Sequence, residues 1–116
     1  MYKYFLSLIL CMLMTNSANT AILSNDLQKM KRENISMYKT YLYGVGEGIY
    51  WTNSRLREFN RDQLFCLPGS LPLTQDLFVS MYEAEYERFT RSNNGTAFVE
   101  TIMLDSFIRT FPCDSK

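Results

Sequence analysis

Residues 35–49 read ISMYKTYLYGVGEGI, and their apolar side chains recur at the spacing of an α-helix. Ile35, Tyr38, Leu42, Val45 and Ile49 follow one another after three, four, three and four residues. This spacing places all of them on one side of a helix. The stretch therefore predicts a helix with a buried apolar face.

Three glycines, at positions 44, 46 and 48, interrupt this predicted helix. Each glycine destabilises a helix interior by roughly 1 kcal/mol relative to alanine, so a structural reason for them is expected. Gly44 and Gly48 lie one turn apart, and their missing side chains would let another backbone approach closely. We therefore predict close helix packing at Gly44 and Gly48. A phosphate-binding loop is the alternative, but the segment lacks a preceding strand and a following helix cap.

Further helices are predicted on both sides of this one. Asn25, followed three residues later by Gln28, is typical of a helix N-terminus. Thr74 and Thr96 are predicted to cap two later helices. Apolar residues keep helical spacing after each cap: Phe78, Tyr82, Tyr86 and Phe89, then Val99, Ile102, Met103 and Phe107. We therefore predict an all-α fold, a compact bundle of about four helices.

The first 21 residues have the pattern of a secretion signal. Lys3 and the terminal amine form a short positive region, and an apolar run over 5–14 follows it. That run is too short to span a bilayer. We predict cleavage after Ala18 or Ala21, no stable membrane anchor, and one mature domain over 22–116. An uncleaved membrane anchor is the alternative.

Two cysteines remain once that segment is removed. Cys66 lies in the motif Phe-Cys-Leu-Pro at 65–68, and Cys113 lies in Phe-Pro-Cys at 111–113. Two thiols in an oxidising compartment predict one disulfide, Cys66–Cys113. A redox-active pair is the alternative, but such cysteines are usually close in sequence, as in Cys-x-x-Cys.

The chain contains no histidine, which removes Ser/His/Asp and Cys/His catalysis and histidine metal sites. Carboxylates are the remaining candidates: Glu47 in the glycine segment, and Glu83 and Glu87 one turn apart in the third helix. Arginines three or four residues after Glu85 and Glu87 favour an ion-paired, solvated face for this region. We therefore predict no enzymatic activity, no cofactor and no metal site. A carboxylate-dependent cell-wall hydrolase is the weakest alternative.

The charge of the mature chain argues against two classes of partner. Without Lys3, eleven Lys and Arg residues stand against twelve Asp and Glu residues, a net charge near −1. This balance provides no strong field for nucleic acid or for an anionic membrane.

The order of several short motifs resembles the Rap/Tai-type immunity family of type VI secretion systems. Tyr41-x-x-Gly44-Val45-x-x-Gly48 comes first, Phe-Cys-Leu-Pro at 65–68 second, Leu-Thr at 73–74 third and Phe-Pro-Cys at 111–113 last. The resemblance extends over residues 26–113, nearly the whole mature chain. It implies a small helical periplasmic protein that binds a peptidoglycan amidase effector and blocks its active site.

The resemblance also implies a loop between helices as the blocking element, and a homodimer in some members. By position the candidate effector-binding residues are the loop Arg91, Ser92, Asn93, Asn94 and Gly95, with Glu83 and Glu87 at its rim. An ordinary helix–helix connection is the alternative for this loop. The chain departs from many relatives in lacking a further cysteine pair in its first two helices, which leaves the identity of the effector open.

A periplasmic acid-protective chaperone is the second functional hypothesis, because such proteins are also small and helical with one disulfide. It predicts that low pH exposes apolar surface and activates the binding of clients. The interleaved arginines and carboxylates and the many aromatic residues favour an ordered domain instead, so the inhibitor is the preferred interpretation.

Overall fold

The computed structural model describes residues 21–93 and 95–114, so the predicted signal peptide lies outside the described residues except for Ala21. Four α-helices form: α1 (Ser24–Glu33), α2 (Ile35–Glu58), α3 (Gln75–Ser92) and α4 (Val99–Thr110). In these ranges there is no β-strand, only an isolated bridge between Leu23 and Phe98. The predicted all-α bundle is confirmed. None of the described helices is long and apolar enough to cross a bilayer.

Asn34 is the single residue that separates α1 from α2. Its backbone is extended, with φ at −152°, and its side-chain oxygen accepts a hydrogen bond from the N–H of Met37 at 3.0 Å. Asn34 therefore ends α1 and caps α2. α2 ends where Asn60 takes a positive φ of 53° and the N–H of Arg61 donates to the carbonyl of Leu56 at 2.8 Å. This is a Schellman-type helix end, with asparagine in the left-handed position.

The core contains the helix faces that the apolar spacing predicted. Tyr38 and Leu42 of α2 and Phe78 and Tyr82 of α3 are fully buried. Ile35 departs from the prediction, since it is the first residue of α2 and is 51% exposed. The other buried apolar side chains come from α1, the α2–α3 linker, α3 and α4: Leu27, Phe65, Met81, Val99, Ile102, Met103 and Phe107.

The close contact along α2 is made at Gly46. A Cβ atom at Gly46 would lie 2.6 Å from Cγ of Phe78, so the Phe78 ring occupies the space of the missing side chain. A Cβ atom at Gly44 or Gly48 would meet no atom of the described chain within 4 Å, and both glycines are exposed. In the described part of the chain no segment packs closely on Gly44 or Gly48, so the prediction of close packing at these two positions is wrong there. The contact with α3 is made instead at Gly46, on the same row of α2 as the buried Leu42.

A buried amide fixes the linker between α2 and α3. The side chain of Asn53, on α2, donates to the carbonyl of Phe65 at 2.9 Å and accepts from the N–H of Leu64 at 2.7 Å. These bonds place Phe65 in the core, where its ring stacks on that of Phe107 with 4.5 Å between the ring centres. The linker is thus attached to α2 and α4 before it reaches Cys66.

The predicted disulfide joins this linker to the end of the chain. Cys66 and Cys113 are bonded, with 4.8 Å between their Cα atoms. Beside the disulfide, the N–H of Cys66 donates to the carbonyl of Phe111 at 2.8 Å. The bond therefore ties the segment after α4 to the segment before α3, as the two isolated cysteines indicated.

Candidate functional site

The predicted binding loop follows the C-terminal end of α3. The helix ends at Ser92, and the N–H of Asn93 donates to the carbonyl of Phe89 at 2.8 Å. Asn94 lies outside the described residues. The other members of the predicted loop are all exposed: Arg91, Ser92, Asn93 and Gly95.

Residues 22–24, here called the N-terminal strap, hold the far end of this loop. The N–H of Ser24 donates to the carbonyl of Ala97 at 2.8 Å, and the N–H of Val99 donates to the carbonyl of Ile22 at 3.1 Å. The Ser24 hydroxyl also accepts from the N–H of Ala97 at 3.3 Å. Ser24 is 1% exposed, so these bonds are shielded from water. The loop therefore returns to the bundle at a fixed point.

The strap also explains why two predicted helix caps are wrong. α1 begins at Ser24 and α4 at Val99, and neither helix has a side-chain cap. Free backbone N–H groups at a helix start need partners. At Ser24 and Val99 the partners are carbonyl groups of the paired segment, so Asn25 and Thr96 are not needed as caps.

Phe98, at the base of the loop, is a candidate residue that the sequence interpretation missed. It precedes α4 directly and is 52% exposed although it is large and apolar. Its bridge to Leu23 fixes its backbone. An exposed aromatic side chain beside a polar loop is a suitable anchor for a protein partner. The signal available in the sequence was an aromatic residue directly before Val99, the first residue of the buried face of α4.

Glu87 and Arg91 form an ion pair next to the loop, as the spacing predicted. Their side chains are 67% and 71% exposed. Exposed ion pairs of this kind contribute little to stability. Both groups can therefore exchange their mutual contact for contacts with a partner at small cost.

Glu83 has a different environment from Glu87. Its carboxylate accepts hydrogen bonds from Lys31 of α1 and, at 3.0 Å, from the hydroxyl of Tyr38 of α2. Partial burial alone would raise the pKa of Glu83, but these two bonds and the positive charges of Lys31 and Lys39 outweigh it and lower that pKa. Burial, reinforced by the bond to Glu83, raises the pKa of Tyr38. Glu83 thus joins three helices, and we assign it a supporting role rather than a rim contact.

Glu85 is a second carboxylate that connects helices. It is 8% exposed, and the guanidinium of Arg109 on α4 donates to its two oxygens at 2.9 and 3.3 Å. Arg88, the predicted partner three residues later, lies 3.5 Å away. The pair with Arg109 links α3 to α4, the two helices that flank the loop. Sequence spacing within one helix does not reveal such a partner.

The Glu47 carboxylate and an open depression beside the disulfide are two further candidate sites in the described part of the chain. Glu47 accepts a hydrogen bond from the indole N–H of Trp51 at 3.0 Å on the exposed side of α2. Within the described residues, no group of three His, Cys, Asp or Glu side chains could hold a metal ion. An open depression of about 1030 Å³ beside the disulfide is lined by charges of both signs, including Arg57, Arg61 and Asp62. It contains no free thiol, because its two cysteines are bonded to each other.

The described part of this region therefore combines exposed polar loop residues, an exposed ion pair and an exposed aromatic residue beside two helices that are linked by the Glu85–Arg109 pair. No protein-family model matches the chain, and comparisons with curated proteins and with solved structures find no match.

Proposed function

We propose that this protein is a periplasmic immunity protein that binds a secreted peptidoglycan amidase and occludes its active-site groove. The observation that carries the proposal is that both ends of the loop after α3 are attached to the bundle. One end of the loop leaves α3 at Asn93, and the other is hydrogen-bonded to the N-terminal strap at Ala97. The motif order that resembles the Rap/Tai-type family supports the choice of target.

Attachment of both loop ends suits occlusion for a thermodynamic reason. Ordering a flexible segment on binding reduces affinity, whereas a segment whose ends are already held avoids part of that cost. The ion pair between Glu85 and Arg109 and the strap at Ser24 keep α3, α4 and the loop base together. The small polar side chains of Ser92 and Asn93 can donate and accept hydrogen bonds inside a narrow groove.

The residues around the loop would make different contributions to binding of the amidase. Phe98 provides apolar contact area, which is the kind of contact that dominates interface energies. Glu87 and Arg91 provide exposed charges at the rim, where charges chiefly affect association rate and partner selectivity. No proton transfer or covalent step is required of this chain, because occlusion acts by excluding the substrate.

A bulky residue in the loop tests this proposal directly. Gly95 has no atom within 4 Å of a virtual Cβ and does not have a positive φ, so Gly95→Trp should fold normally. Gly69, in the α2–α3 linker, meets the same two conditions and supplies the matched control, Gly69→Trp. Cells that export a cognate amidase to the periplasm should survive with the wild type or Gly69→Trp and lyse with Gly95→Trp. The cognate enzyme is sought as a Cys/His amidase encoded beside this gene.

Two results would count against the proposal. Equal lysis with and without the wild-type protein would show that it does not protect against that amidase. Full protection by Gly95→Trp, at wild-type expression and stability, would show that the loop is not the blocking element.

The acid-protective chaperone is the second candidate, and the Glu83 contacts favour it. These contacts depend on an ionised carboxylate, so protonation would remove a link between α1, α2 and α3. A chaperone would suppress aggregation of unfolded clients at low pH and not at neutral pH. An inhibitor would bind its amidase at neutral pH and show no such activity towards clients.

A further inference from the structure

A carboxylate beside the N-terminal strap has no cation to balance it in the part of the chain that the structure describes. Glu100 lies in the first turn of α4 and is partly buried, and one of its oxygens accepts a hydrogen bond from the hydroxyl of Tyr41 on α2 at 2.9 Å. Among the described residues, Glu100 forms no ion pair. By contrast, Glu83 and Glu85, which also connect helices, each pair with a basic side chain of another helix. Since charges removed from water are usually paired, Glu100 is a favourable site for a cation.

The hydroxyl groups of two tyrosines interact with Glu100. Burial and the bond to Glu100 raise the pKa of Tyr41 to about 12, so this hydroxyl stays neutral at physiological pH. The hydroxyl of Tyr82 is buried and has no hydrogen-bond partner in the described part of the chain. Burial chiefly, with smaller contributions from Tyr86, Tyr41 and Glu100, raises the pKa of Tyr82 as well. Oxygen atoms beside a negative charge favour a cationic donor, and an ammonium group has both the charge and three N–H donors.

The N-terminal strap brings the backbone nitrogen of Ile22 to these groups. The carbonyl of Ile22 accepts from the N–H of Val99, the residue before Glu100, at 3.1 Å. A hydrogen bond from the backbone N–H of Ile22 to the Tyr41 hydroxyl acts against the rise in the pKa of Tyr41. Since Tyr41 donates in turn to Glu100, a single hydroxyl group connects the nitrogen of Ile22 to the carboxylate. The side chain of Ile22 packs against the core, which fixes this position.

Removal of the predicted secretion signal can supply the ammonium group. Ala21, one of the two predicted cleavage positions, directly precedes Ile22 and is exposed. Hydrolysis there breaks the bond between the carbonyl carbon of Ala21 and the nitrogen of Ile22. Water gives its oxygen to Ala21, which becomes a carboxylate, and its two hydrogens to the nitrogen, which becomes an ammonium. An α-amino group has an ordinary pKa of about 7.7–8.0, so it is mostly protonated at neutral pH.

We propose that the mature protein begins at Ile22 and that its α-ammonium group binds between Tyr41 and Glu100. One N–H of the ammonium donates to the Tyr41 hydroxyl, as the backbone N–H does in the described chain, and its charge balances Glu100. Ile22 also accepts from Val99, so processing strengthens the strap that holds the base of the loop after α3. The proposal rests on the predicted secretion signal and not on amidase inhibition, and its tests measure the N-terminus and the strap alone.

The first measurement is the intact mass and N-terminal sequence of the protein after export of the full-length chain to the periplasm of a Gram-negative host. We expect a mature chain that begins at Ile22. Any other first residue overturns the proposal. A chain cleaved after Ala18 would begin at Asn19, and its α-amino group would be separated from the nitrogen of Ile22 by up to about 10 Å of backbone.

The second measurement is amide hydrogen exchange at the strap, by NMR at one pH near neutral. It compares three forms: the chain that begins at Ile22, the chain that begins at Asn19, and the Ile22 form with an acetylated α-amino group. The N–H groups of Ser24 and Val99 form hydrogen bonds across the strap. They should exchange roughly tenfold more slowly in the free Ile22 form than in the other two forms. The N–H of Cys66, bonded beyond the other end of α4, serves as the internal reference.

Glu100→Gln tests the charge pairing, since glutamine can still accept from Tyr41 but carries no charge. This change should speed exchange at the strap roughly tenfold in the free Ile22 form and have little effect in the acetylated form. The matched control is Glu33→Gln, the same change at an exposed site on α1, which should leave exchange at the strap unchanged.

Two results of the exchange measurements overturn the proposal even if the mature chain begins at Ile22. Equal exchange rates at the strap in the three forms would show that the α-ammonium group does not hold it. An equal effect of Glu100→Gln in the free and acetylated forms would show that the carboxylate does not pair with the α-ammonium group. Circular dichroism of every form and variant checks that the helices are intact.

Discussion

Replacing each glycine of α2 by alanine should give opposite changes in stability at neighbouring positions. Alanine is favoured over glycine in a helix interior by about 1 kcal/mol. At Gly44 and Gly48 the new Cβ atom meets no atom of the described chain within 4 Å, so the full gain should be observed. Gly44→Ala and Gly48→Ala should therefore each raise the free energy of unfolding by about 1 kcal/mol.

Gly46→Ala should lower the free energy of unfolding instead. Its Cβ atom would lie 2.6, 2.7 and 2.9 Å from three ring atoms of Phe78. That ring is fully buried and has the rings of Tyr43 and Phe107 as neighbours, each 5.7 Å away between centres, so it has little room to move aside. Overpacking of a core typically costs about 1–3 kcal/mol, and contacts this short favour the upper end. After subtracting the helix gain of about 1 kcal/mol, a net loss of about 2 kcal/mol is expected.

The assay is urea unfolding of the oxidised protein, followed by far-ultraviolet circular dichroism at low protein concentration, so that association does not contribute. A second variant isolates the contact: Phe78→Leu should cost less stability in the Gly46→Ala background than in the wild type. Equal stability of Gly46→Ala and Gly48→Ala would refute the reasoning, because it would mean that the Phe78 ring relaxes without cost.

Three further predictions concern the disulfide, the buried amide and the carboxylate between helices. The double variant Cys66→Ser/Cys113→Ser should lose roughly 4 kcal/mol in the free energy of unfolding, because the bond closes a loop of 48 residues. The wild-type protein in reductant should unfold at the same urea concentration as this variant, and a higher midpoint would contradict the role of the bond. Asn53→Leu should cost roughly 3 kcal/mol in the same assay, since it leaves the carbonyl of Phe65 and the N–H of Leu64 without their partner; a loss below that of an exposed asparagine variant would contradict the role of the amide. Glu83 has a lowered pKa in the folded state, so its contribution to stability is present above its ordinary value of 4.5 and is lost as pH falls through the lower folded value. Glu83→Gln should therefore lose less thermal stability than the wild type when the pH falls from about 5 to about 3, an interval that includes the ordinary pKa of 4.5. Identical pH profiles of the two proteins would contradict the assignment.

The helices could be predicted from the sequence because their signals are local. Burial of one face requires apolar residues at the helical period, and Tyr38, Leu42, Phe78 and Tyr82 carry that period within their own segments. The N-cap at Thr74 is also local, since its hydroxyl accepts from the N–H of Leu77 three residues later at 3.2 Å. The disulfide could be predicted because only two cysteines, Cys66 and Cys113, follow the predicted signal peptide, and an oxidising compartment is expected for them.

The features that could not be predicted depend on residues far apart in the chain. The N-terminal strap pairs Ser24 with Ala97 across 73 residues, and it replaces the local caps on which the predicted starts of α1 and α4 depended. The same applies to Glu83, which is bound by Lys31, and to Glu85, which is bound by Arg109. Spacing rules within one helix identify Arg88 and Arg91 as partners, but they carry no information about which neighbouring helix faces a carboxylate.

The strap and the disulfide support opposite ends of α4, and this separation determines what each contributes to the proposed binding loop. α4 has twelve residues, so about 18 Å separates the strap at its start from the disulfide beyond its end. The loop after α3 ends at the strap, where hydrogen bonds from Ser24 and Val99 hold it. The disulfide stabilises chiefly by restricting the unfolded chain. Reduction should therefore lower the fraction of folded protein without reshaping the loop, whereas loss of the strap would loosen the loop in a molecule that is still folded.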